Sequence, residues 1–235
     1  MVHEQEPPVR QTAADVAARP ATVYDLRFGE RERSAKEAVW REIGRFLQRR
    51  YIPADAKVMD VATDTGYFIR NITAAERWAT DLRDTSASMP EGVRFLQADG
   101  LALGEVAPTD YFDVVFMSNY LEHLDSAESV IEQLRVARRL LRVGGRVIVL
   151  QPNIKLVGQA YWDFIDHRVP LTEESLSEAA AFAGFEKREV IRRFLPYSVK
   201  GRLPAHPLLV RAYLRFPLAW RLLGKQTLYV GSRER

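Results

Sequence analysis

The chain contains no cysteine, which removes disulfides, thiolate nucleophiles and cysteine-based metal sites together. Its four histidines are scattered, without the H-E-x-x-H or related spacing of a metal centre, so no metal is expected. No stretch approaches the ~20 apolar residues that a membrane span needs. Residues 1–20 are polar and hold no apolar run that would serve as a signal peptide, so a cytoplasmic protein is expected. No G-x-G-x-x-G follows the first strand, which argues against a nicotinamide dehydrogenase.

What is present suits one globular α/β domain. The 235 residues are 47% hydrophobic and 28% charged, enough to bury a sizeable core. A net charge of +3 conceals an asymmetry: residues 186–235 carry 12 Lys/Arg against 3 Asp/Glu, and the preceding 185 carry 22 against 28. The basic end points to an anionic partner. No nucleic-acid motif accompanies the charge, so nucleic acid is not expected among the partners.

Residues 1–20 read as a mobile tail broken by Pro7, Pro8 and Pro20. Residues 24–29, with Tyr24 and Arg27, read either as a flap over a ligand or as a staple for the helix expected over 34–51. That helix carries Ala38, Val39, Ile43, Phe46, Leu47 and Tyr51 at helical spacing. The stretch K-V-M-D-V-A-T-D-T-G-Y-F-I (57–69) organises the rest: a buried strand ending on Asp60, a turn through Gly66, and a helix expected from about Tyr67. A second strand (76–82) ends on Asp81, and a third (93–98) is followed by Asp99. A fourth (112–117) runs into S-N-Y-L-E-H-L. An amphipathic helix (127–141), a turn at Gly144-Gly145 and a fifth strand (146–150) follow. After a long connection (151–170), Thr172 should cap a helix to Ala183, with strands expected at 186–194 and 226–231. Such alternation predicts a doubly wound, mostly parallel sheet with its ligand at the strands' C-terminal edge.

The ordered set D-V-V-F-M-S-N-Y-L-E-H-L (113–124), R-R-L-L-R-V-G-G-R-V-I-V (138–149), Q-P-N-I and Y-W-D-F-I-D-H resembles class I S-adenosylmethionine-dependent methyltransferases. It is similar to those of bacterial polysaccharide biosynthesis. The resemblance spans roughly 34–195 and the last strand. It implies a seven-stranded Rossmann-like sheet with an antiparallel last strand, and S-adenosylmethionine as cofactor. It places Asp60, Ala62, Asp64 and Gly66 at the methionine end of the cofactor and Asp81 with Leu82 at the ribose. Asp99 and Gly100 fall at the adenine and Ser118 beside the sulfonium. His123 and His167 are candidate general bases, with a packed or solvated His123 and a merely polar loop at Asp166 and His167 as the alternative readings; Asn119, Tyr24, Arg27 and Asp166 are expected at the acceptor. The family loop D-x-G-x-G-x-G reads D-V-A-T-D-T-G here, so only its last glycine remains. Asp64 then either holds the cofactor's ammonium, caps the next turn, or weakens binding.

From the residues alone, Asp60, Asp81 and Asp99 read as strand-end turn residues or as ligand contacts. The expected activity is methyl transfer to oxygen or nitrogen of a small or carbohydrate-like acceptor, anionic or lipid-linked. Residues 202–225 would meet a membrane surface or pack as a cover. The rival expectation is a non-catalytic binding or scaffolding protein that has lost its cofactor loop.

Overall fold

The structure, a computed structural model, describes residues 30–197 and 206–235. Tyr24, Arg27 and the expected tail fall outside these residues, as does part of the basic insert.

The apolar runs that end on acids form the centre of one sheet. The strands are β1 (Lys57–Val61), β2 (Glu76–Asp81), β3 (Val93–Gln97), β4 (Phe112–Ser118), β5 (Leu141–Pro152), β6 (Glu186–Ile191) and β7 (Gln226–Ser232). Their order is β3-β2-β1-β4-β5-β7-β6. β1 to β5 pair in parallel, and β7 inserts antiparallel between β5 and β6. The expected fold class holds, with β7 as the antiparallel last strand. All carboxyl ends of the parallel strands therefore open onto one edge.

Among the described residues, five helices of about two turns or more cover the faces: α1 (Glu30–Tyr51), α2 (Ala127–Leu140), α3 (Glu173–Phe182), α4 (Pro207–Arg215) and α5 (Pro217–Leu223). α2 and α3 bury one face, with Val130, Leu134, Ala137 and Leu140 against Met59, Val115 and Val147. On the other face, Ile43, Phe46 and Leu47 of α1 join Val114, Phe116, Ile148 and Trp220 of α5. Each such side chain contributes roughly 1.5–3 kcal/mol by leaving water. Capping defines the helix starts: Ser126 accepts from Ser129 N–H at α2, and Thr172 forms a capping box with Ser175 at α3.

Three local expectations change. The helix after Gly66 is absent, replaced by turns and a 3₁₀ segment at Ile69–Asn71. Phe68 and Ile69 are both buried under α1 in this short crossover. Gly144 and Gly145 lie inside β5 rather than before it, since that strand begins directly where α2 ends. Finally, Pro207 and Pro217 start α4 and α5 at a first-turn position, where a missing N–H costs nothing. The hairpin packs on α1 through a paired contact of Arg211 Nε and Nη2 with the buried Glu42 carboxylate, each 3.0 Å.

Candidate active site

The turn after β1 folds through three left-handed residues, Ala62 (φ 56°), Asp64 (φ 54°) and Gly66 (φ 78°). For Ala and Asp this conformation costs roughly 1 kcal/mol each, so neighbours must hold it. They do. Thr63 N–H donates to Thr80 O at 2.9 Å, Asp64 N–H to Asp81 Oδ2 at 3.0 Å, and Gly66 N–H to Thr63 O at 2.9 Å. Asp60, 3% exposed, lies beneath the turn and accepts from Thr63 Oγ1 at 2.5 Å. Burial pushes its carboxyl up to about 7, against the opposing pull of the Thr63 hydrogen bond.

Asp64 is neither a helix cap nor an unpaired charge facing the cleft. Arg83 Nη2 meets its Oδ1 at 3.0 Å and Lys36 Nζ its Oδ2 at 3.8 Å. Arg83 also reaches Asp81, with Nε 3.2 Å and its backbone N–H 3.0 Å from Oδ1. One guanidinium thus ties the ends of β1 and β2 together. Arg83 was not singled out in the sequence; its signal was a cation two residues beyond a strand-end acid.

Asp99 accepts from Leu101 N–H at 3.0 Å and caps the 3₁₀ turn Gly100–Ala102, so it is a turn residue as well as a ligand candidate. Gly100 has no room for a side chain: a Cβ there would lie 2.3 Å from Tyr120 Oη and 2.7 Å from Gln133 Oε1. Tyr120 Oη donates to the buried Gln133 at 2.9 Å, and the charges of Asp99 and Asp81 join burial in raising its phenol. Leu82 follows Asp81 and its carbonyl accepts from Gln97 at 3.3 Å.

The acceptor side is built on the end of β4. Asn119 adopts φ 47°, its N–H donates to Leu150 O at 2.8 Å, and its amide lies 3.2 Å from Ser118 Oγ. Leu121–His123 then forms a 3₁₀ turn. Arg168 and Val169 N–H groups both donate to Glu122 O, at 2.8 and 3.1 Å, which draws the β5–α3 connection onto this turn. His123 and His167 come together, ring centroids 5.0 Å apart, so the two expected bases form one cluster. His123 Nδ1 lies 3.0 Å from Asp166 O; a carbonyl only accepts, so Nδ1 donates there, and in the neutral ring Nε2 is then the acceptor. Phe164 stacks on His167 and Tyr161 tilts against it, Tyr161 being fixed by a 2.7 Å bond to Val169 O. The Q-P-N-I motif is the brace behind this arrangement. Asn153 is fully buried, caps the turn at Ile154–Val157, and bonds Glu173 at 2.6 Å and Thr227 at 3.0 Å.

A cavity of about 230 Å³ lined by Arg50, Arg146, Arg188 and Glu189 opens elsewhere, toward the amino end of β4. Its Arg50–Glu189 pair is closed at 2.8 Å, and it holds none of the groups above.

A left-handed turn, three acids at strand ends and an acid–histidine cluster meet on one edge of this Rossmann-like sheet. The family profile described as a methyltransferase domain matches residues 30–190, and the chain belongs to that family. It is an S-adenosylmethionine-dependent methyltransferase. Comparison with curated proteins finds no match. Among solved structures, an S-adenosylmethionine-dependent methyltransferase from Archaeoglobus fulgidus is similar at 19% identity and TM-score 0.57, covering 82% of this chain and 94% of that one. One from Mesorhizobium loti gives 18% and 0.58, covering 79% and 95%. A possible histamine N-methyltransferase from Thermotoga maritima gives 17% and 0.59, covering 87% and 95%. At such identities these likenesses speak to the fold.

The residues present fit the cofactor. Thr65 Oγ1 is buried in the turn with no hydrogen-bond partner among the described residues, an orphan that a ligand atom would satisfy. Asp81 keeps one of its about four acceptor sites beyond the three its neighbours use, and release of Arg83 Nε would free a second.

Proposed function

We propose that the protein methylates an oxygen or nitrogen of a small, carbohydrate-like acceptor held between the end of β4 and the Asp166–His167 segment. The observation that carries this reading is the His123–His167–Asp166 cluster: His123 lies five residues beyond Ser118, and Asp166 and His167 join it from the β5–α3 connection. Bound S-adenosylmethionine supplies an electrophilic methyl carbon on a positively charged sulfur. Asp81 holds the ribose hydroxyls, Asp99 and Gly100 the adenine edge, and Ser118 the cleft floor. The acceptor heteroatom bonds the methyl carbon as the carbon–sulfur bond breaks, and its proton leaves toward the histidine cluster. Asn119 and Asp166 position the acceptor; the protein's work is alignment more than activation. Transfer of a labelled methyl group to free and lipid-linked sugars tests this. His167→Ala should lose at least tenfold in kcat while retaining cofactor affinity. A variant as active as the parent on every accepted sugar removes the cluster from the reaction.

We also propose that α4 and α5 contact an anionic membrane surface. No described helix is long and apolar enough to cross a membrane. Yet Leu208, Leu209, Phe216, Leu218 and Leu222 project into solvent, Leu222 at 81% exposure, beside Arg215 and Arg221. An apolar ridge flanked by arginines suits the headgroup region of acidic lipids. The protein should float with vesicles containing phosphatidylglycerol and not with neutral phosphatidylcholine vesicles. Leu218→Glu with Leu222→Glu should abolish flotation; equal flotation of parent and variant would sink the idea.

A further inference from the structure

Glu122 is 1% exposed, and neither of its carboxylate oxygens has a hydrogen-bond partner among the described residues. A carboxylate buried in this way costs several kcal/mol unless a positive charge compensates it. One ligand-capable atom from each of Glu122, His123 and His167 lies within 4.8 Å of the other two.

We propose that Glu122, His123 and His167 bind a divalent first-row transition cation, which in turn binds the acceptor through its oxygen atoms. Three ligand atoms around such an ion, with bonds of about 2.1 Å, stand about 3–3.6 Å apart. Closing the triad from its 4.8 Å span therefore takes on the order of 1 Å of side-chain movement. The supporting geometry is already in place. His123 Nδ1–H is committed to Asp166 O, which leaves Nε2 as a metal-ready lone pair with its ring orientation fixed. His167 is held by the Phe164 stack and by Tyr161. The two ligand-bearing segments are joined by the paired backbone bonds to Glu122 O.

Two imidazoles and one carboxylate favour zinc, manganese, iron(II) or cobalt over magnesium or calcium, which prefer all-oxygen shells. Three protein ligands leave positions open, and the acceptor's oxygens would take them. A hydroxyl there becomes more acidic and passes its proton to solvent water before its oxygen takes the methyl group, the two imidazoles then serving as ligands in place of the base role described above. The acceptor class is therefore hydroxylated, with a vicinal pair of oxygens able to chelate. This role rests on the methyl-transfer reading above, whereas the cation site stands on the triad alone.

The test is a Co²⁺ titration of chelator-stripped full-length protein, followed by visible absorption and by competition with Zn²⁺. One equivalent should bind with low-micromolar or tighter affinity and a d–d spectrum of nitrogen–oxygen ligation. Glu122→Gln, nearly isosteric and relieved of a buried charge, should fold and lose at least thirtyfold in affinity; His123→Ala should do the same. S-adenosylmethionine affinity, measured on the same samples, should change less than threefold. No stoichiometric uptake of Co²⁺, Zn²⁺ or Mn²⁺ at 1 mM, or equal uptake by the parent and both variants, overturns the site, and intact cofactor binding beside it leaves the methyl-transfer reading standing. Metal uptake by a parent that binds no cofactor supports the triad while removing the transfer role.

Discussion

Asp81→Ala is expected to weaken S-adenosylmethionine and S-adenosylhomocysteine binding by 100-fold or more in calorimetric titration. Two hydrogen bonds from ribose hydroxyls to a carboxylate contribute roughly 1.5–3 kcal/mol each, which converts to that range. The same carboxylate also holds Asp64 N–H and Arg83, so its removal releases the left-handed turn as well as the sugar. Asp81→Asn separates the two roles. Its remaining oxygen still accepts from Asp64 N–H, so the turn keeps its shape, and a loss of about tenfold should remain. Binding by Asp81→Ala within threefold of the parent would remove this carboxylate from the site. A parent that binds neither ligand at millimolar concentration would leave Arg83 as the permanent occupant of the edge, and the fold as a binding module.

Asp60→Asn is expected to stabilise the protein above pH 7, by on the order of 2–4 kcal/mol, and to leave it nearly unchanged near pH 4. The folded-state pKa of Asp60, about 7, lies above the ordinary carboxylate value near 4. Between those pH values the folded chain keeps a proton that the unfolded chain has lost. The contribution of Asp60 to stability therefore falls as pH rises from 4 to 7 and is level beyond. An asparagine has no such slope, and Thr63, whose hydroxyl can donate or accept, can satisfy its amide. Chemical denaturation at pH 4.5, 6 and 8 should show the gap between variant and parent opening across the series. A gap that is constant with pH would mean that Asp60 is ionised throughout.

Strand positions were legible because each central strand is a short apolar run ending on Asp or Ser, and the parallel order then placed Asp60, Asp81, Asp99 and Ser118 on one edge. The turn after β1 was legible as a turn but not as a substitute for a helix. Y-F-I-R-N has helical spacing, and only the packing of both Phe68 and Ile69 beneath α1 overrides it. Arg83 could not be distinguished from a surface cation, since its partners Asp64 and Asp81 come from two different strand ends. Glu122 was not singled out in the sequence. It packs against a segment 46 residues further along, and no spacing rule reports a contact at that range. The Q-P-N-I and Y-W-D-F-I-D-H motifs drew attention as a set, yet Asn153 and Tyr161 serve the scaffold and only Asp166 and His167 face the cluster.

The crossover from β1 to β2 gives up a full helix, and with it the fixed positive end that such a helix would aim at the turn. Lys36 and Arg83 supply the positive charge there instead, on flexible and partly solvated side chains. A helix terminus is built of hydrogen-bonded backbone, but two ammonium and guanidinium groups are open to competition from dissolved ions. At 0.15 M salt the screening length is about 8 Å, comparable with their reach. The hold of Lys36 and Arg83 on Asp64, and with it the shape of the turn, therefore becomes a property of the medium as much as of the fold, tight in dilute buffer and slackening as ionic strength climbs.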